Sequence, residues 1–273
     1  CMAHQIINTE RLESLDKDAL AGSYFESLED TLIMFGDCLV KVNGKDISFE
    51  LTDSIKRIVM IDGFDSADYI KELIVKDFRL LHVLRNFSDK PFCETIHLYV
   101  DANTRDEAKL EKAIEKNKLE LSCKHVLLSS SNNEELTRVG CENDILYQTN
   151  RGMLITGSAP WFFQGDVKFP CKTWLIGTKL ISNDIESICI PKSVEAFTID
   201  ASISGHKVSS IICETPTFPN GFSETIREFI TIVPCEVEIT EDDWISIDHC
   251  GKKNMIPRYM TESQCVEYIC KLS

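Results

Sequence analysis

The sequence predicts an α/β solenoid: short parallel strands stacked on one another and joined by irregular helices and loops. The first observation behind this is a six-residue phrase with apolar residues at positions one, four and six. It recurs as Ile55-Ile58-Met60, Ile70-Leu73-Val75, Cys93-Ile96-Leu98, Cys123-Val126-Leu128, Cys171-Trp174-Ile176, Ile185-Ile188-Ile190, Val194-Phe197-Ile199 and Val208-Ile211-Cys213. The second is its spacing: Ile70 and Cys93 are 23 residues apart, as are Cys171 and Val194, and Ile185 and Val208. The third is rhythm. From Cys171 to Val208 the phrases start at intervals of 14, 9 and 14 residues, which implies two strands per turn of a coil. Alternate residues of a strand share a face, so positions four and six point the same way. One short strand cannot bury that face alone, whereas stacked copies share a continuous core.

The elements follow in order. Residues 1–54 read as an N-terminal capping segment, because a repeat array exposes an apolar end unless something covers it. Within it Asn8 or Thr9 is placed to cap a helix over 10–20, with Leu12, Leu15 and Leu20 on one side. The alternating stretches Val40–Val42 and Ile47–Leu51 flank Asn43-Gly44, a hairpin signal. Residues 55–240 read as the repeat region. Short strands are expected over 55–61, 70–75, 94–100 and around 125–128. Between the last two, Thr104 and Glu107 make a capping-box pattern for a helix over 105–118, with Leu110, Ala113 and Ile114 inward. Ser131 and Glu134 suggest a further short helix, and 144–148 a strand. Gly152, Gly157, Pro160 and Gly165 mark an irregular middle, in which Ala159-Pro-Trp-Phe-Phe163 reads as a loop or turn. Residues 241–273 read as a C-terminal cap, with a helix over 261–272 started by Thr261 and Gln264.

The stretch Ile185-Glu-Ser-Ile188-Cys-Ile190-Pro191-Lys-Ser193-Val194-Glu-Ala-Phe197-Thr-Ile199 resembles the repeat of leucine-rich repeat proteins of the BspA type, and Ile230-Thr-Ile232-Val-Pro234 echoes its Ile-Pro step. The resemblance is recognisable over about 170–234. It implies a leucine-rich-repeat-like solenoid whose parallel strands line one face, and a role in binding other proteins.

Composition narrows the function. The chain has 273 residues, enough to bury a substantial core, and a net charge of −15. Nucleic-acid binding rests on neutralising phosphates, so this acidity argues against it and against anionic membranes. No apolar run of membrane-spanning length occurs. The opening Cys1-Met2-Ala3-His4-Gln5 has no apolar run of the signal-peptide kind. The 12 cysteines contain no Cys-x-x-Cys pair. They read as small buried hydrophobes in a reduced, cytoplasmic protein.

None of the phosphate-cradling, nucleophile-elbow, zinc-helix or calcium-loop motifs is present. Cys93 with His97, and Cys123 with His125, could pair a thiol with an imidazole, but a Cys-lined core with outward polar residues is the simpler reading. His249-Cys250 with Cys265 or Cys270 lacks diagnostic metal spacing. Asp62 with Asp65, and Glu241-Asp242-Asp243, read as solvated loops. The expectation is therefore a non-enzymatic protein–protein interaction scaffold without metal or cofactor. Its candidate contacts are the outward residues Lys124, His125, Lys172, Glu186 and Glu195, with Trp161 and Phe162 of the aromatic cluster as an anchor. Lys56, Lys71 and Ser209 belong to the same expected outward ladder. The alternatives are an α/β enzyme with a cysteine nucleophile, and a secreted or surface adhesin of the same fold.

Overall fold

A computed structural model describes residues 12–16, 18, 31–61, 64–181, 184–198 and 201–204, and strands 210–213, 244–249 and 252–257. Of residue 181 and of those from 202 onward it describes the backbone alone. The architecture is mixed α/β with strands predominating and open sheets. Among the described residues there is one α-helix, α1 (Thr104–Glu115), and two short 3-10 turns, Ser66–Asp68 and Phe78–Leu84.

The first half of the chain forms β1 (Leu32–Phe35), β2 (Cys38–Val42), β3 (Ile47–Glu50), β4 (Arg57–Ile58), β5 (Ile70–Val75), β6 (Cys93–Val100) and β7 (Cys123–Ser130). β1 and β2 are an antiparallel hairpin, turned at Gly36 with φ 61°, and β4 lies parallel to β2. The hairpin expected at Asn43-Gly44 does not form. β3 leaves β2 and pairs in parallel with β5, placing Ile47 opposite Ile70 and Phe49 opposite Leu73. The type I′ hairpin turn that Asn-Gly favours needs positive φ at both central residues. Here Gly44 and Asp46 take it, at 93° and 54°, and the chain swings away. The gain is burial of Phe49 and Leu51 in the main core.

β3, β5, β6 and β7 make one four-stranded parallel sheet. Its register superposes the recurring phrase: Phe49, Leu73, Ile96 and Val126 lie opposite one another, and so do Val75, Leu98 and Leu128. The parallel ladder of this sheet therefore starts at Ile47, within residues 1–54. The phrase Ile55-Ile58-Met60 belongs to the neighbouring β1-β2-β4 sheet instead.

The N-terminal helix is likewise overturned where it is described. Residues 12–16 are not helical, and Leu15 bridges in parallel to Ile61. Leu12 and Leu15 pack on a small core of Ile33, Phe35, Cys38, Val40, Val59 and Ile61, and burial there outweighs local helix preference.

α1 stands where a helix is expected, but its cap differs. Asn103 Oδ1 accepts the N–H groups of Arg105 (3.0 Å) and Asp106 (2.9 Å). Glu107 does not reach back to close a capping box. It is 3% exposed and accepts the N–H groups of Thr137 (2.8 Å) and Arg138 (2.7 Å), tying the helix to the chain entering the next sheet. Leu110 and Ile114 are buried, with Ala113 against the same core. The helix expected after Ser131 is a turn. Asn132 Oδ1 draws it together by accepting from Ser130 Oγ (2.6 Å) and from the N–H of Ala102 (3.2 Å).

The second half forms β8 (Val139–Glu142), β9 (Ile145–Asn150), β10 (Met153–Thr156), β11 (Gln164–Lys168), β12 (Thr173–Ile176), β13 (Lys179–Ile181), β14 (Asp184–Ile190), β15 (Ala196–Phe197), β16 (Ser202–Ser204) and β17 (Ser210–Cys213). β8, β9 and β10 are an antiparallel meander, which β12 and β15 extend in parallel. β11, β14 and β17 form a second parallel sheet, and β13 pairs with β16. The chain returns to each ladder 20 to 23 residues later: Ile155 faces Leu175, Leu175 faces Ala196, Val167 faces Ile188, and Ile188 faces Ile211. The short β13 and β16 are not announced by the phrase, because Lys179-Leu180-Ile181 and Ser202-Ile203-Ser204 are too short to show it.

Ala159–Phe163 is a loop and turn, as expected. Gly157 lies so close to the end of α1 that a Cβ there would collide with the Ile114 carbonyl, so this glycine serves close packing. β18 (Trp244–His249) and β19 (Lys252–Pro257) form an antiparallel hairpin. The helix expected over 261–272 lies outside the described residues.

Candidate functional site

The four-stranded parallel sheet turns Leu73, Val75, Ile96, Leu98 and Val126 into the core. The residues between them face outward in rows fixed by the register. Ser48, Glu72, Thr95 and His125 form one row, Glu50, Ile74, His97 and Leu127 the next, and Tyr99 stands opposite Ser129 in a third. All of these side chains are half-buried or exposed, and Leu127 is 48% exposed. Leu127 and Met153 are the two large apolar side chains exposed among the described residues.

His97 is the centre of this face. Its Nδ1 lies 3.0 Å from Glu72 Oε1 on β5, and its Nε2 lies 2.8 Å from Ser129 Oγ on β7. The Tyr99 ring stacks on the imidazole at 4.2 Å between centroids, with its hydroxyl 3.3 Å from Nδ1. The partners fix the tautomer. An ionised carboxylate only accepts, so Nδ1 carries the proton. Nε2 of the neutral ring then holds the lone pair, and the Ser129 hydroxyl donates to it. The His97 side chain is 15% exposed and that of Glu72 31%, so the row is sheltered yet open to solvent. One row away, His125 Nδ1 lies 3.0 Å from Asp144 Oδ2, while Asp144 Oδ1 accepts the N–H of Val126 at 2.8 Å.

The thiols lie on the other side. Cys93 and Cys123 face each other across β6 and β7 and are fully buried. Burial pushes both well above the ordinary thiol range. Cys141, which donates to the Val126 carbonyl at 3.3 Å, is pushed up to about 12 by burial, with Asp144 and Glu142 adding repulsion. Cys93 points inward while His97 points outward, and Cys123 and His125 are separated in the same way. Neither pair brings a thiol to an imidazole, and a protonated buried thiol is a poor nucleophile. Asp62, Glu241-Asp242-Asp243, and the side chains of His249, Cys250, Cys265 and Cys270 lie outside what is described.

The expected outward residues do not make a single ladder. Lys124 and His125 stand on β7. Lys172 and Glu195 precede β12 and β15 in a second sheet, where the Glu195 N–H donates to the Trp174 carbonyl at 2.9 Å. Glu186 is exposed on β14 in a third sheet. The phrase recurs on four sheets, so its outward positions are spread over several surfaces. Lys71 is exposed on β5, in the same sheet as Lys124, Lys56 is exposed just before β4 in another, and Ser209 lies outside the described residues. Trp161 and Phe162 are half-buried, and Phe163 is 3% exposed. The N–H groups of Trp161 and Phe162 donate to the carbonyls of Leu121 (2.9 Å) and Cys123 (3.2 Å), pinning this loop along the edge of β7.

Glu72, His97 and Ser129 escape a linear reading because 25 and 32 residues separate them. The signal was nonetheless present. They occupy position three of one phrase, position five of the next and the residue just after the third, a diagonal that appears once the strands are laid side by side. No protein-family model matches the chain, and no curated protein or solved structure shows significant similarity to it.

Proposed function

We propose that this protein is a leucine-rich-repeat-like solenoid, of the BspA type, that binds another protein through the outward face of its strands. The observation that carries this reading is the row Ile74, His97 and Leu127 beside Tyr99: apolar and aromatic surface held open on a sheet of fixed register. Such a face is pre-organised, so binding costs little ordering, and Tyr99 is of the aromatic type that anchors hot spots. A net charge of −15 favours a basic partner surface around that apolar centre. The six described cysteines form no disulfide and three of them are fully buried, which fits a reducing compartment such as the cytoplasm. The test is affinity capture from a native lysate with three baits: the wild-type chain, a Tyr99→Ala/Leu127→Asp double variant, and a Lys172→Glu/Glu186→Lys/Glu195→Lys variant. A saturable partner lost only with the double variant supports the face. Equal capture by wild type and the double variant overturns it.

A further inference from the structure

We propose that Glu72, His97 and Ser129 form an esterolytic triad on this outward face, acting on small acyl esters with good leaving groups. Three neighbouring strands supply one residue each, and the ladder fixes their spacing without loops. Ser129 Oγ lies 2.8 Å from His97 Nε2, and Glu72 Oε1 lies 3.0 Å from Nδ1: a nucleophile, a base, and a carboxylate that orients the base. The stacked Tyr99 ring holds the imidazole plane, and Ser129 is reachable from solvent. Ser129 and His97 are the catalytic residues; Glu72 and Tyr99 are positioning residues.

The step balances within the site. Ser129 Oγ forms the bond to the ester carbonyl carbon as its proton passes to His97 Nε2. The ester C–O bond breaks, and the imidazolium returns that proton to the departing alkoxide. Water then attacks the acyl-serine with the same proton route, releasing a carboxylic acid and restoring Ser129. The Ser129 N–H lies on the side of β7 that pairs with β6, so it gives the oxyanion little stabilisation. That is why the substrate class is an activated ester, which needs least help at that point.

The test uses the full chain with p-nitrophenyl acetate and with a fluorophosphonate probe, the labelled residue being mapped by mass spectrometry. The proposal expects one label, on Ser129, lost in Ser129→Ala and slowed about 10²–10⁴-fold in His97→Ala. Glu72→Gln slows labelling less and changes its pH profile, which a merely structural carboxylate would not do. Labelling spread over surface residues, or labelling at Ser129 that persists unslowed in both His97→Ala and Glu72→Gln, overturns it. Thermal melts of each variant accompany the assay. If His97→Ala does not fold, the conservative Glu72→Gln decides. The assay needs no partner, and Ser129→Ala leaves Tyr99 and Leu127 in place. A failed label with intact partner capture removes the triad alone, and the reverse result removes the binding face alone.

Discussion

Cys93, Cys123 and Cys141 behave as core side chains that happen to be titratable. All three are held protonated in the fold, Cys141 up to about 12. An unfolded thiol ionises near pH ~8.5. Below that pH both states keep their protons and the stabilisation is fully present. Above it the unfolded state loses protons that the fold retains, so stability falls as pH rises toward the folded values. Each such thiol contributes a slope of about 1.4 kcal/mol per pH unit in that window. Urea midpoints measured at pH 8 and pH 10 should therefore drop, and Cys141→Ala should make the drop shallower. In the same molecule at neutral pH, iodoacetamide should modify exposed Cys171 and leave Cys93, Cys123 and Cys141 untouched until denaturant is added. Rapid native labelling of Cys123 would revive the cysteine-nucleophile alternative.

At the level of elements, α1 shows how a correct helix can rest on the wrong contacts. Thr104 with Glu107 satisfies the capping-box pattern, yet the cap is Asn103, and Glu107 is spent on the Thr137 and Arg138 N–H groups. Asn103→Ala should cost about 1 kcal/mol by leaving the N–H groups of Arg105 and Asp106 without their shared acceptor, whereas Thr104→Ala should cost under about 0.5 kcal/mol. Chemical denaturation of the two variants separates the assignments, and the reverse order would restore the capping box. The strands were more legible than the helix ends. Each recurring phrase carries a strand, and in the parallel sheet its apolar spacing is close to the burial pattern: Ile70, Leu73 and Val75, and Cys93, Ile96 and Leu98, are all buried, whereas Cys171 of a later phrase is exposed. What the spacing does not encode is the choice of partner. Ile47-x-Phe49-x-Leu51 alternates equally well as a hairpin arm or as the strand beside β5. Only the competition for the core decides, and that competition is non-local.

For the whole molecule, one core cluster joins the two halves. Leu73, Ile96 and Val126 of the parallel sheet share it with Leu110 and Ile114 of α1 and with Val139 and Leu146 of the meander. Ile96→Ala leaves a cavity at a fully buried position of β6, expected to cost about 2–5 kcal/mol. If the halves unfold together, tryptophan fluorescence should report that loss in full, although Trp161, Trp174 and Trp244 all lie in the second half. An unshifted fluorescence transition beside a shifted far-ultraviolet one would show two independent units. The diagonal of Glu72, His97 and Ser129 belongs to this scale too. It emerges only when three strands are brought side by side, so no local pattern could have named it.

The margin of β7 carries a last consequence. Asp144 takes the Val126 N–H, Cys141 takes the Val126 carbonyl, and the Trp161-Phe162 loop takes the carbonyls of Leu121 and Cys123. Hydrogen-bonding groups that a foreign β-segment would seize are already occupied from within. This margin is thereby blunted along its first half: a second copy approaching Leu121 to Val126 edge-on would meet groups already paired. A short carboxylate and a tethered aromatic loop thus do the work of a terminating strand.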